Sequence, residues 1–173
     1  MIIKEKKNFL SKESISFIQN TVLGNSFPFY FVKSSVLEEE DKSMCHIVLK
    51  RPQHRKINEL YNSPFYKETL QILNEFLEAS GIECNLFTRI CYNLSYNNNF
   101  DKCGKHKDHD FPHKQIIIYL DYLDKNSSTV IIHNGKEKII KPEKFKGVCF
   151  ENFDHYFLYP KFGHRLVLVA TFI

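Results

Sequence analysis

The apolar positions in the first half of the chain recur at the spacing of helix faces. Ser11 can cap a first helix that runs to about Leu23. Ser63 and Pro64 form a stronger start signal, because serine caps helices and proline is favoured in the first turn, and this second helix is expected to end near Gly81. The apolar stripes of the two predicted helices are Ile15, Ile18 and Val22, and Tyr66, Leu70, Leu73, Phe76 and Leu77. The N-terminal half is therefore predicted to contribute two amphipathic helices.

From Ile82 onward the pattern changes to short β-branched or aromatic runs separated by turn residues, which is typical of strands. The predicted strands are Cys84–Ser95, Gln115–Asp121, Thr129–His133, Lys136–Ile140, Gly147–Phe150 and Arg165–Phe172. Asn134 and Gly135 predict a tight hairpin between two of them. Two helices followed by many short antiparallel strands predict an α+β domain with a β-sandwich or double-sheet jelly-roll core and the helices packed on one sheet.

The composition indicates one domain that covers residues 1–173. Hydrophobic residues make up 43% of the chain, which is more than disordered chains carry. No apolar run approaches the roughly 20 residues that span a bilayer, and the first seven residues are too charged to begin a signal peptide. The five cysteines form no C-x-x-C pair and fit free thiols. We therefore expect a cytoplasmic protein with no membrane segment.

The charge pattern restricts the partners only weakly. The net charge of +4 is spread along the chain, so it gives little support for a nucleic-acid partner. The acidic stretch 37–42 is expected to be an exposed loop. Only four of the 24 basic residues are arginine, so each arginine marks a position that needs a planar, forked cation; they are Arg51, Arg55, Arg89 and Arg165.

Most candidate metal ligands fall within Cys103–His113, which holds three histidines and two aspartates in eleven residues. Three interpretations remain open, and the first is a polar loop with surface histidines. The second is a zinc site on residues with C-x2-H-x2-H-x3-H spacing, namely Cys103, His106, His109 and His113. Pro112 speaks against it, because proline breaks the helix that would align His109 with His113.

The third interpretation starts from His106 and Asp108, which are two residues apart and so point to the same face of an extended segment. A second histidine from a distant strand would complete a facial triad of two histidines and one carboxylate, which leaves open positions on iron. His155 follows the predicted strand Gly147–Phe150, and Arg165 lies ten residues beyond it at the head of the last strand.

The order and spacing of His106, Asp108, His155 and Arg165 in a strand-rich half resemble the iron(II)- and 2-oxoglutarate-dependent dioxygenases, in the prolyl 4-hydroxylase-like branch. The resemblance covers Arg89 to Phe172, about half of the chain. It implies a double-stranded β-helix, the jelly roll of this family, with His106, Asp108 and His155 as iron ligands. It also implies that Arg165 pairs with the far carboxylate of 2-oxoglutarate.

The same resemblance implies further roles near the cosubstrate. Thr129 and one of Tyr92 and Tyr96 match positions that help to bind it. The implied reaction uses iron(II), 2-oxoglutarate and O2, with ascorbate as a reductant, and hydroxylates an unactivated C–H bond while 2-oxoglutarate is converted to succinate. Prolyl hydroxylases usually carry lysine where this chain has Arg165. The resemblance therefore does not identify the substrate, which is expected to be a small molecule or a peptide. The alternative is a non-catalytic jelly-roll domain that binds a metal or ligand.

Several polar residues near these positions have weaker assignments. Arg89 lies on a strand that would flank the site, where it would contact substrate or cosubstrate or form a salt bridge. His109 and His113 would line the mouth of the site or lie on an exposed loop. Asp110 is expected to be solvated or to support the ligands. The basic patch of Arg51, His54, Arg55 and Lys56 is expected to be a solvated face.

Overall fold

A computed structural model describes residues 3–32, 43–56, 61–97, 100–121 and 124–173, so the acidic stretch 37–42 lies outside the described residues. The strands are β1 (Ile3–Lys6), β2 (Tyr30–Val32), β3 (Ser43–Leu49), β4 (Phe87–Tyr96), β5 (Lys114–Tyr119), β6 (Thr129–His133), β7 (Lys136–Ile140), β8 (Gly147–Glu151), β9 (Asp154–Phe157) and β10 (His164–Phe172). The helices are α1 (Lys12–Phe17), continued by a π-helical turn (Ile18–Val22), a 3-10 turn (Pro52–His54) and α2 (Tyr66–Ser80). None of the helices in these ranges has the length and apolar character needed to cross a membrane.

The strands form two antiparallel sheets. The larger has the order β1-β8-β5-β10-β4-β3-β2, and the smaller has the order β7-β6-β9. One buried cluster joins α2 to the outer face of the larger sheet, with Phe76 of α2 and Leu168 of β10 among its members. A second cluster lies between the sheets, where Ile131 of β6 packs with Val167 of β10. This arrangement is the predicted double-sheet architecture.

The helix predictions are confirmed in type, with one shifted start. The Ser11 hydroxyl accepts a hydrogen bond from the Ser14 amide and so caps α1. Ser63 does not cap α2, because its hydroxyl accepts from the Phe65 amide and lies 2.7 Å from His46 Nε2, and the helix begins at Tyr66. Gly81 ends α2 in the left-handed conformation, with a φ of 57°, which glycine adopts without a steric cost.

All six predicted strands are present, with ends shifted by up to three residues. The sequence pattern did not predict β1, β2, β3 and β9. The pattern of β1 is weak because three of its four residues are exposed, and β9 is short and begins with two polar residues. Edge and short strands of this kind carry little alternation between apolar and polar positions.

A β-bulge in β4 shapes the face of the larger sheet that looks toward the smaller one. Arg89 lies opposite Thr171 and Phe87 lies opposite Phe172, so Thr88 is an extra residue between them. The hydroxyls of Thr88 and Thr171 are 2.8 Å apart. Farther along the same pair of strands, Ser95 lies opposite Arg165. Both arginines therefore project from neighbouring strands into the space between the sheets.

Candidate active site

His106 and His155 are brought together by a short antiparallel bridge between the loop before β5 and strand β9. The His106 amide donates to the His155 carbonyl at 3.0 Å, and the His155 amide donates to the His106 carbonyl at 2.9 Å. The centroids of their rings are 4.5 Å apart. The backbone hydrogen bonds alone therefore hold His106 and His155 next to each other.

Both imidazoles are oriented through their Nδ1 atoms. His106 Nδ1 lies 2.9 Å from the Gly104 carbonyl oxygen, and His155 Nδ1 lies 3.1 Å from the Phe153 carbonyl oxygen. Because a carbonyl oxygen only accepts, each Nδ1 carries a proton and each Nε2 keeps a free lone pair in the neutral ring. Histidines that bind metals through Nε2 are held in this way by their other nitrogen.

Asp108 is buried and lies against the same pair. Its Oδ2 is 3.9 Å from His155 Nε2, while its Oδ1 accepts from Arg89 Nη1 at 3.0 Å and from Arg51 Nη2 at 3.4 Å. Burial by itself raises the pKa of this carboxyl, but Arg89, His155, His106 and Arg51 outweigh it and lower the pKa to about 2. Asp108 is therefore an ionised carboxylate with one oxygen turned toward His155.

Burial raises the pKa of a carboxyl group but lowers that of the His155 imidazole, because it disfavours the charged form of each. Desolvation lowers the pKa of its imidazole to about 4, although Asp108 opposes the shift. The ring is therefore neutral near pH 7, the form that ligates metals. Gln115 Nε2 lies 3.3 Å from His155 Nε2, so the Gln115 amide can donate to the free lone pair. Across the described ranges, no three His, Cys, Asp or Glu side chains are already gathered as a metal cluster.

Arg165 occupies a second buried position in the space between the sheets. Its Nη2 donates to the Thr129 hydroxyl at 3.0 Å, and the Tyr119 hydroxyl donates to the same Thr129 oxygen at 2.8 Å. The guanidinium carbon is 4.5 Å from the centroid of the Phe157 ring. Arg165 Nε is buried without a hydrogen-bond partner. Burial lowers the pKa of this guanidinium, and no carboxylate of the described residues lies within 4.0 Å of it.

The structure places the two predicted tyrosines away from Arg165. Tyr92 is buried in the cluster between α2 and the larger sheet, and its hydroxyl is 2.9 Å from that of Thr69 in α2. Tyr96 is 49% exposed at the end of β4. The tyrosine beside Arg165 is Tyr119, which the analysis of the sequence did not single out. Strand alternation along β5, which puts Tyr119 on the same face as Gln115, was the available signal.

The residues of the zinc interpretation take separate partners. Cys103 Sγ accepts a hydrogen bond from the Phe157 amide at 3.2 Å. His109 Nε2 lies 2.8 Å from the Thr171 hydroxyl, and His113 Nδ1 lies 2.8 Å from the Phe111 carbonyl oxygen. His109 and His113 are both buried, with ring centroids 4.9 Å apart, so neither lies on an exposed loop. Asp110 is exposed.

Two arginines of the predicted basic patch have different partners in the structure. Arg55 donates to the backbone carbonyls of Lys50, Phe87 and Thr88, so it braces the chain near the β4 bulge. Arg51 instead reaches Asp108, where it contacts both the carboxylate and the backbone carbonyl. Arg51 is thus a site residue that the sequence pattern assigned to a solvated face. Its position depends on tertiary contacts 57 residues apart.

The two-sheet fold, with a buried space between the sheets, is that of the 2-oxoglutarate and iron(II) oxygenases, and the chain resembles the prolyl 4-hydroxylase-like branch of these proteins. A 2-oxoglutarate and iron(II) oxygenase-family oxidoreductase from Burkholderia pseudomallei superposes with a TM-score of 0.73 at 14% sequence identity, over 98% of this chain and 83% of that one.

Two prolyl hydroxylases are also similar in structure. The Pseudomonas putida prolyl-4-hydroxylase gives a TM-score of 0.61 at 13% identity, over 98% of this chain and 91% of its own. The Trichoplax adhaerens prolyl hydroxylase, in complex with a hypoxia-inducible-factor peptide, gives 0.67 at 12% identity, over 99% and 83%. No model of a known protein family matches the sequence, and no curated protein matches it. These similarities establish the fold.

Proposed function

We propose that this protein is an iron(II)- and 2-oxoglutarate-dependent oxygenase that hydroxylates an unactivated C–H bond of its substrate and converts 2-oxoglutarate to succinate and CO2. The observation that carries the proposal is the pair of features within one fold: a His106–Asp108–His155 group, and a buried Arg165 whose Nε has no partner. Tyr119 and Gln115 link the two features, because they lie on the same face of β5 and contact Arg165 and His155 respectively.

The donor set of the triad suits iron(II). His106 Nε2, His155 Nε2 and Asp108 Oδ2 are two imidazole nitrogens and one carboxylate oxygen, the combination found at facial sites with open positions. When bound, iron(II) would supply the oxidative chemistry with O2. The protein's own part is to orient both imidazoles, to keep His155 neutral and to keep Asp108 ionised.

The environment of Arg165 suits the far carboxylate of 2-oxoglutarate. A guanidinium can give two parallel hydrogen bonds to a carboxylate, and Arg165 still has a buried Nε to offer. Thr129 and Tyr119 would hold the guanidinium in place, and burial raises the pKa of the Tyr119 phenol, which keeps it a neutral donor. Buried apolar side chains between the sheets would exclude water from an anion bound there; they are Ile117, Ile131, Phe150, Val167 and Val169.

The proposal is tested by the release of succinate and CO2 from 2-oxoglutarate by the purified protein with iron(II), ascorbate and O2. We expect slow turnover even without a primary substrate, and none in a His155→Ala variant or without O2. Calorimetry with the redox-inert Mn(II) adds a binding measurement, in which 2-oxoglutarate should bind only after the metal. A protein that binds metal yet neither binds nor consumes 2-oxoglutarate would support the alternative, a non-catalytic jelly-roll domain.

A further inference from the structure

Two cations share one carboxylate beside the triad. Arg51 and Arg89 both approach Oδ1 of Asp108, and within the described part of the chain Asp108 is the carboxylate that lies within 4.0 Å of either guanidinium. A single carboxylate carries one negative charge, so within 4.0 Å the group has an excess of one positive charge. Asp110 acts electrostatically on Arg51 as well, and Cys91 and Cys45 act on Arg89. A metal bound by the triad would increase that excess. An uncompensated cation in a partly buried site is costly unless an anion joins it.

The side chains of the two arginines are more exposed than that of Asp108. The side chain of Asp108 is 5% exposed, while those of Arg89 and Arg51 are 17% and 29% exposed. Each guanidinium has five N–H donors, and the contacts with Asp108 use only part of them. The arginines therefore keep donors that the contacts with Asp108 do not use.

The far carboxylate of 2-oxoglutarate does not use this excess charge. In the proposed function, Arg165 binds the far carboxylate of the cosubstrate with the support of Thr129 and Tyr119. Arg51 and Arg89 instead contact Asp108. Arg89 lies beside the bulge at Thr88, at one end of β4, whereas Arg165 lies opposite Ser95 near the other end. The task of Arg51 and Arg89 therefore concerns the oxo-acid carboxylate of 2-oxoglutarate, the anion of another ligand or the orientation of Asp108 alone.

We propose that the primary substrate is a small carboxylic acid whose carboxylate is bound by Arg51 and Arg89, an inference that rests on the proposed function. Because both guanidiniums touch a proposed metal ligand, an anion held by them lies close to the metal, and the C–H bond that reacts is only a few bonds from the carboxylate. A neutral side chain inside a peptide offers no such group. The planar fork of arginine matches a carboxylate with two parallel hydrogen bonds.

The inference is tested by binding to protein saturated with Mn(II) and 2-oxoglutarate, without turnover. The panel consists of free amino acids and short straight-chain monocarboxylic acids, each paired with its carboxamide. Broadening of the ligand's NMR signals by Mn(II) reports binding near the metal. We expect at least one acid to bind about ten- to a hundredfold more tightly than its amide, the range for charge-assisted hydrogen bonds. If no acid is preferred over its amide while Mn(II) and 2-oxoglutarate bind normally, the inference is wrong and the proposed function stands.

The variants Arg51→Gln and Arg89→Gln separate anion binding from support of Asp108. Each should reduce the preference for acid over amide about tenfold or more, with 2-oxoglutarate still saturating the site. Arg89→Lys should restore part of the preference, because the charge returns without the fork. Lys67→Gln on the exposed face of α2 is the control for net charge and should change nothing. Variants that weaken Mn(II) binding but keep the full preference would reduce both arginines to positioning residues for Asp108.

Discussion

At the scale of single residues, the site depends on three side chains from two segments that only a backbone bridge brings together. We expect His106→Ala, Asp108→Ala and His155→Ala each to weaken Mn(II) or iron(II) binding by at least about a hundredfold, since each removes one of the three proposed protein ligands. Equilibrium dialysis of the folded variants measures this. His54→Ala, on the exposed 3-10 turn, is the matched control and should bind metal as the parent does. A triad variant with unchanged affinity would show that its residue is not a ligand.

The zinc interpretation predicts that Cys103 and His113 bind the metal, whereas the iron proposal predicts that they do not. Cys103 and His113 already have backbone partners, so Cys103→Ser and His113→Ala should keep the metal affinity of the parent within about threefold, well below the loss expected for a ligand. Elemental analysis of the purified protein adds an independent measurement. Stoichiometric zinc that is lost from both variants would overturn the iron proposal.

Arg165 is the most informative residue for the cosubstrate. Arg165→Met keeps much of the apolar stem but leaves the far carboxylate of 2-oxoglutarate buried without a cation. Loss of one partner of a buried charge pair costs about 3–5 kcal/mol, so the affinity for 2-oxoglutarate should fall at least about a hundredfold. Titration calorimetry on Mn(II)-loaded protein measures this without turnover. Metal affinity should change little; unchanged 2-oxoglutarate binding by the folded variant would remove Arg165 from the site.

At the scale of elements, α2 packs so closely on β8 that one position tolerates no side chain. A Cβ atom on Gly147 would lie 2.4 Å from Cδ2 and Cε2 of Phe76. Gly147→Ala should therefore lower the free energy of unfolding by about 1–3 kcal/mol, the usual cost of overpacking. Urea denaturation measures it. The metal affinity should not change, because Gly147 faces the helix and not the space between the sheets.

A double-mutant cycle makes this test specific. Phe76→Leu shortens the side chain that the new methyl group meets, so Gly147→Ala should cost less in the Phe76→Leu background than in the parent. The coupling free energy between the two mutations should exceed about 0.5 kcal/mol. The effects of independent mutations are additive to within about that amount. Strict additivity would show that the contact between α2 and β8 does not limit the residue at position 147.

At the scale of the whole molecule, three buried histidines with lowered pKa values, His46, His109 and His155, couple stability to pH. Desolvation lowers the pKa of His155 and that of His109 to about 4, from an ordinary value of 6.5. Above pH 6.5 the imidazoles are neutral in both states. Between these values the unfolded chain takes up protons that the folded protein does not, so the free energy of unfolding falls as the pH falls. Each histidine contributes a slope of at most about 1.4 kcal/mol per pH unit.

Urea denaturation of chelator-treated protein at several pH values measures this slope. His109→Gln should lower the slope by up to about 1.4 kcal/mol per pH unit, because one of the protonation sites is then removed. Chelation is essential, since a bound metal would itself oppose protonation of His155. A slope unchanged by His109→Gln would mean that the His109 imidazole is not kept neutral by the fold.

The C-terminal strands and the order of the site residues were predictable from the sequence, because both are local properties. A run of β-branched residues indicates strand β6, and the Asn134-Gly135 pair predicts the turn from β6 into β7. The two-residue spacing of His106 and Asp108 was likewise visible. What it could not show is the backbone bridge from His106 to β9, since that strand is short and polar.

Tertiary structure decided which side chains meet. Alternation indicates that neighbouring residues of a strand face opposite ways, but the register with other strands selects the face that looks inward, so Tyr119 and not Tyr92 lies beside Arg165. Arg51 reaches Asp108 because the 3-10 turn after β3 lies against the loop before β5, a contact between distant segments that no local pattern encodes. The sequence by itself determined the elements and the chemistry available, and packing determined which groups share one site.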